Sequence, residues 1–304
     1  MQNCALFVVW GTMGIMEAKN ITKKKVGLAL GGGGAKGLAH IGVIKELERA
    51  GVEISYITGT SMGALVGAWY AATKDIDSLE KLFVSIKDED VYSMSKIARK
   101  HDGAIFKNSS IPDFLEKQFK SVDFNDLKIP FKAIATDTKN GEQVVLEKGS
   151  LSDAVRASTA LPVVFSPVEI DGRVLMDGGF VNPVPADVVR EMGANLVIAV
   201  DVSSKWFDFS EEKIRIFHIY SLIASALAVI EYQIAARILQ ENADIVLHPK
   251  VLTHHWLEFG NARELIAHGE TETHEQISKI CEHAGHPLPE KSPFEKFMDF
   301  ILYA

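Results

Sequence analysis

The sequence predicts an α/β fold, a central and mostly parallel sheet flanked by helices in an α/β/α sandwich, and three observations carry that expectation. Two apolar runs of strand length, Val26 to Leu30 (VGLAL) and Asn195 to Asp201 (NLVIAVD), lack polar alternation and so read as strands buried on both faces. From Val26 onward the order is strand, helix, strand, helix, which implies parallel pairing through right-handed crossovers. The chain has 304 residues, 47% of them hydrophobic and 24% charged, enough for one large core.

Each element follows from local pattern. Val26 to Leu30 lies between lysine on one side and four glycines on the other. Ala39, Ile41, Val43, Ile44 and Leu47 then recur at helical spacing up to Gly51, a C-terminal stop signal. Ile54 to Ile57 gives a second strand, and Met62 to Ala72 is small and apolar enough for a buried helix. Asp75 to Asn125 is charged and irregular, and reads as helices and loops over the sheet, a lid or substrate-facing cap. Phe131 to Thr136 and Gln143 to Glu147 flank Asn140-Gly141, a strong hairpin signal; Val168 to Ile170 and Val174 to Met176 flank Asp171-Gly172 in the same way. A long helix, Ile216 to Gln240, separates the strand ending at Asp201 from Ala243 to Leu247. With no repeat or clear linker, one domain over 25–304 is expected, after an N-terminal extension, 1–24, expected to be poorly ordered.

Composition removes several function classes. A formal net charge of −8 argues against a nucleic-acid scaffold, which needs a surplus of Lys and Arg. It also gives no long-range pull toward anionic lipid, so membrane contact would be local, apolar and peripheral. Cys4 and Cys281 are too few for a disulfide framework and lack metal-ligand spacing, which makes a reducing, cytoplasmic setting the default. Cys4 to Met16 is apolar, but no basic residue precedes it, no small-x-small cleavage site follows, and it falls short of the ~20 residues of a membrane span.

Ser61 stands in Gly59-Thr60-Ser61-Met62-Gly63, where a strand turns sharply into a helix. Glycines on either side remove clashing Cβ atoms, so the pattern reads as a nucleophile elbow; the plainer alternative is a helix N-cap. The run Gly31 to Gly34, followed by Ala35-Lys36-Gly37, can close its N–H groups on an oxyanion. Read as Gly32-x-Gly34-x-x-Gly37, with Glu53 downstream, it also fits a dinucleotide fingerprint. The second strand speaks against that cofactor, because it ends in the Ser61 turn rather than in a ribose-binding acid. A Walker A loop is excluded, since Lys36 precedes Gly37.

Ser61 needs a base. His218, His248, His254, His255, His268, His274, His283 and His286 all follow position 177, yet none stands in a recognisable catalytic turn, and each reads as a surface or satisfied histidine. Asp177 is the better candidate, because it leaves a hairpin strand straight into Gly178-Gly179. Desolvation would have to raise its basicity; a turn-initiating Asx residue is the plainer reading.

Four stretches, LALGGGGAKGLAHIGVIKEL at 28–47, ITGTSMGALVGA at 57–68, ASTALPVVFSPVEIDG at 157–172 and LMDGGFVNPVP at 175–185, together resemble the patatin-like phospholipase family in its compact bacterial type. The resemblance implies a patatin-like sandwich, Ser61 as nucleophile with Asp177 as its only partner, and Gly32, Gly33 and Gly34 as oxyanion-hole loop, supported by Gly37, Gly59, Gly63, Gly178 and Gly179. It implies hydrolysis of a phospholipid or other fatty-acyl ester through an acyl-enzyme, with no metal and no organic cofactor. The alternative it leaves open is a regulatory or binding protein on the same scaffold. The stripe Ile219, Leu222, Ile223, Leu227, Ile230 and Ile234 is expected to face the core, and Trp206, Phe207 and Phe209 are the expected interface cluster. The N-terminal extension and the region beyond Val251 match no assigned part of the family.

Overall fold

β1 (Val26–Leu30) runs through the middle of the sheet and is buried at all five positions. It pairs in parallel with β2 (Ile54–Thr60) on one edge and β7 (Leu196–Val200) on the other. Residues sheltered from water on both faces need no polar alternation, which is why both apolar runs are strands. β3 (Phe131–Asp137) adds to β2 and β8 (Ile245–Leu247) to β7, again in parallel. β4 (Gln143–Leu146), β5 (Val168–Ile170) and β6 (Arg173–Asp177) supply the antiparallel part. Asp171 and Gly172, between β5 and β6, have φ of 51° and 74°, the doubly left-handed turn that Asp-Gly favours in a tight hairpin. This computed structural model describes residues 23–85, 118–162, 165–203, 218–254, 256 and 258–288. The expectations for nearly all of the N-terminal extension, for most of the irregular 75–125 segment and for Trp206, Phe207 and Phe209 lie outside those residues.

The register around β3 decides where the site forms. Ala133 pairs with Leu146 of β4 and Gly59 of β2, and Ile134 with Val145 and Thr60. Ala135 pairs with Val144 of β4 and with Asp177 of β6. A strand has only two edges, so β4 occupies one of them, and β2 and β6 share the other end to end. The last pair of β2 and the last residue of β6 are therefore consecutive along β3, and the chain leaving Thr60 emerges beside Asp177.

Alternate side chains of the sheet enter two separate cores, as the period of two requires. Val26, Leu28, Leu30, Leu196, Ile198 and Val200 face α1 (Ala39–Arg49), α2 (Met62–Thr73), α3 (Ile76–Ser85), α4 (Leu151–Ser158) and α7 (Ala262–Ala284). Ala29, Val197 and Ala199 face α5 (Ala186–Glu191) and α6 (His218–Asn242) through Val189, Ala235 and Leu239. The result is the expected three-layer sandwich.

Two features depart from the sequence reading. α7, in a region that suggested no element, packs on α1. The crossing is so close that a Cβ on Gly42 or Gly269 would collide with the facing backbone, so these two glycines set the distance, while Leu265, Ile266, Ile277 and Ile280 of α7 join the core. Ile230, expected in the core, is 53% exposed, and Val229 beside it is 48% exposed. Among the side chains described in α6, Ala235 and Leu239 reach the core; those of Ile219, Leu222, Ile223 and Leu227 lie outside the described residues.

Candidate active site

Ser61 occupies the turn between β2 and α2 with φ 54° and ψ −122°, outside the regions that L-residues normally adopt. Such a conformation costs about 1–3 kcal/mol and persists only where its surroundings enforce it. The Ser61 N–H donates to Ser158 Oγ at 3.0 Å, and its carbonyl accepts the Ala64 and Leu65 N–H groups. Upstream, the hydroxyls of Thr58 and Thr60 donate to the carbonyls of Pro185 and Asn182, fastening the end of β2 to the segment after β6. Gly63 lets α2 start against the Leu30 carbonyl, a space any Cβ would fill. The Ser61 hydroxyl makes no capping bond to α2. It acts on the Asp177 carboxyl instead, pulling its pKa down against the larger effect of burial.

Asp177 is 4% exposed and fixed at three points. Its N–H donates to the Ala160 carbonyl, its carbonyl accepts the Thr136 hydroxyl at 2.7 Å, and its Oδ1 accepts the Gly179 N–H at 2.8 Å. Burial pushes the carboxyl up to about 6, against the smaller downward pull of the Ser61 hydroxyl and the Gly179 amide. A carboxylate with that pKa is a far better base near neutrality than one in water.

The glycine turn after β1 passes directly beside the serine, and a Cβ added to Gly32 would lie 3.3 Å from the Cβ of Ser61. Three distant segments hold it. Gly31 N–H donates to Val200, Gly32 N–H to Pro183 at 2.9 Å, and Ala35 N–H to Trp256 at 2.7 Å. Gly34 has φ 59° and presses on the Trp256 carbonyl, so only glycine fits there. His40, fully buried, bonds the Gly31 carbonyl through Nε2 at 2.7 Å. Burial pulls this imidazole down to about 4, so it is neutral at physiological pH and Nε2–H donates. Gly32 has therefore committed its amide to the fold, whereas the Gly33 and Gly34 amides have no partner among the described residues.

A second carboxylate stands nearby. Glu231 Oε1 and Asp177 Oδ1 each lie within 3.2 Å of the point where a Gly179 Cβ would be, so they are separated by less than twice that distance. Burial, then the charge of Asp177, raises Glu231 to about 7. The supporting glycines are close-contact positions: Gly37 packs on Met62, Gly59 on Gly63, and Gly178 on the Ile134 carbonyl. Glu53, the acid that a dinucleotide reading required, is engaged with Lys23 at 2.6 Å.

Sequence reasoning missed Ser158, His40 and Glu231. Ser158 and His40 fall inside the quoted family-like stretches, at positions where only a three-dimensional partner gives them meaning. Glu231 carried one weak signal, a lone acid beside Val229 and Ile230 in an apolar helical run.

Comparison with known proteins places the chain in a family. The patatin-like phospholipase family matches residues 28–190, more than half of the chain and a span containing both Ser61 and Asp177. An uncharacterised NTE family protein of Mycobacterium tuberculosis is 37% identical over 188 residues, covering 62% of this chain and 52% of the relative. Human patatin-like phospholipase domain-containing protein 6 is 36% identical over 197 residues, covering 62% of this chain but 14% of that protein. The chain thus spans about half the length of the mycobacterial relative and far less of the human one. Among solved structures, VipD from Legionella pneumophila aligns with a TM-score of 0.49 and 14% identity over 92% of this chain and 74% of its own. On the family match, the chain belongs to the patatin-like phospholipase family.

Proposed function

We propose that the protein is a serine acyl hydrolase acting on phospholipid or other fatty-acyl esters, with Ser61 as nucleophile and Asp177 as its base. The observation that carries this is the sharing of one edge of β3 by β2 and β6, which sets the Ser61 hydroxyl against a buried carboxylate of raised basicity. Asp177 takes the hydroxyl proton as Ser61 Oγ attacks the ester carbonyl, and the new oxyanion is held by the Gly33 and Gly34 N–H groups. Collapse breaks the ester C–O bond, and Asp177 returns its proton to the departing alcohol. Water, deprotonated by the same carboxylate, then attacks the acyl-serine and releases the fatty acid. Gly32 contributes by lacking a side chain next to Ser61, since its amide is engaged with Pro183. An apolar substrate is favoured by Val229 and Ile230, exposed on α6 immediately before Glu231.

The test is turnover of a panel of p-nitrophenyl acyl esters and phospholipids by wild type and by Ser61→Ala. The proposal expects hydrolysis that is lost in the variant while the folded signature remains. No turnover of any ester by the wild type, or equal turnover by both proteins, would remove it.

A further inference from the structure

The segment after β8 carries Trp256, whose carbonyl holds the glycine turn, and next to it lies a cluster that the acyl-transfer chemistry does not use. His254, Glu264 and His268 each bring one ligand-type atom to a common point, with all three atoms within 4.8 Å of one another. Glu264 Oε1 is 3.6 Å from His254 Nε2 and 3.9 Å from His268 Nε2. Glu264 and His268 are one helical turn apart on α7 and so share a face, while His254 reaches them from the segment after β8.

The buried histidine shows what the cluster lacks. His254 has an 8% exposed side chain, and its Nε2, the atom aimed at Glu264, is buried without a hydrogen-bond partner. Such an atom normally finds a partner or costs about 1–3 kcal/mol. The other ring nitrogen, Nδ1, faces Glu258 Oε2 at 3.3 Å, and that carboxylate is itself held by Asn261 Nδ2. A carboxylate on Nδ1 keeps the proton there and turns the Nε2 lone pair outward, the second-shell arrangement of metal-bound histidine. Two imidazoles and one carboxylate, with a fourth position left for water, form a donor set suited to zinc.

We propose that His254, Glu264 and His268 bind a divalent transition metal, zinc being the expected occupant, which ties the Trp256 segment to α7. Metal–ligand bonds of ~2.0–2.2 Å require the three atoms to draw together by a fraction of an ångström each. The side chains of Glu264 and His268 are 62% and 31% exposed, so they are the ones free to move. The role is structural: the ion would brace the carbonyl that receives the Ala35 N–H, from outside the reaction centre.

The experiment is a zinc titration of the chelator-treated, tag-free full chain by calorimetry, with cobalt(II) substitution followed by its visible absorption. One equivalent of zinc bound at micromolar Kd or tighter, and a tetrahedral cobalt spectrum, are expected. His268→Ala and Glu264→Gln should each weaken zinc at least ~100-fold, and Glu258→Gln roughly 10–100-fold. His268 and Glu264 are partly exposed, so those variants should keep the wild-type circular dichroism. A zinc-dependent rise in Tm, absent in His268→Ala, is the second readout. Zinc binding weaker than millimolar, or binding that His268→Ala leaves unchanged, would overturn the proposal, the latter by assigning the ion to other surface histidines.

Discussion

The two glycine turns at the carboxyl edge are built on opposite plans. The turn after β1 is braced from outside, with Val200, Pro183, Trp256 and His40 each fixing a different backbone group. The turn after β2 concentrates its constraint in one strained residue, Ser61, held by Ser158 and by the threonine bonds of β2. A cradle for charge needs many anchors, because its amides must stay aimed while the charge appears. A nucleophile needs one exposed atom, and a sharp bend supplies it. Substitution of Ser61 in the second turn should therefore abolish chemistry with little loss of fold, and substitutions in the first turn should damage both.

The largest effect is expected for Ser61→Ala, with ester hydrolysis falling by at least ~10³-fold, since removing a nucleophile leaves only binding and oxyanion stabilisation. Circular dichroism should be unchanged. Asp177→Asn should lower kcat by about 10²–10⁴, the usual worth of a general base. Its stability should move the other way. The native carboxyl is raised from 3.8 to about 6, so its contribution is fully present below about pH 4 and lost as pH rises through about 6. Asn removes a cost on the order of 1–3 kcal/mol at pH 8, less whatever its hydrogen bonds supplied. Denaturant melts at pH 4 and pH 8 check this: the variant should gain relative to wild type only at the higher pH.

Gly34→Ala breaks the comparison from the other side. It forces a Cβ onto the Trp256 carbonyl at φ 59°, and should lower kcat by about 10²-fold, with a fall in Tm as well. Ser158→Ala removes the partner of the Ser61 N–H, for which a loss of about 1 kcal/mol in stability and a modest loss in kcat are expected from chemical melts and initial rates. The smallest effect is expected for Glu231→Gln. Glu231, raised to about 7 by burial and by the charge of Asp177, is mostly protonated while Asp177 titrates near 6, so the acid limb of the pH–rate profile should stay where it is. A downward move of that limb would show that Glu231 carries its charge before Asp177 does.

What could be read from the sequence was local. Gly59 to Gly63 and Asp171-Gly172 announce backbone angles that few residues adopt, and both turns form where the residues demand them. β1 and β7 are legible for a similar reason, since an unbroken apolar run has only a buried place to go. The shared edge of β3 is not legible, because it depends on where β2 stops relative to a strand more than 100 residues later. Gly32 shows the same limit: its side-chain-free backbone can be read from the sequence, but the diversion of its amide to Pro183 cannot. α7 went unassigned although Leu265, Ile266, Ile277 and Ile280 recur at helical spacing on its buried face; Gly269 and Thr273 interrupt that stripe, and only the close crossing at Gly42 and Gly269 gives them a buried place. His254 looked like any polar-loop histidine; only its burial beside a helical Glu-x-x-x-His pair distinguishes it.

The most direct measurement is the rate of covalent labelling by an alkyl fluorophosphonate across pH 4 to 9, with the adduct located by peptide mapping. A single adduct on Ser61 is expected, forming faster as pH rises through a midpoint near 6 and slowed by Asp177→Asn across the whole range. An adduct on another residue, or a Ser61 rate indifferent to both pH and Asp177→Asn, would contradict the assignment of these two side chains as nucleophile and base.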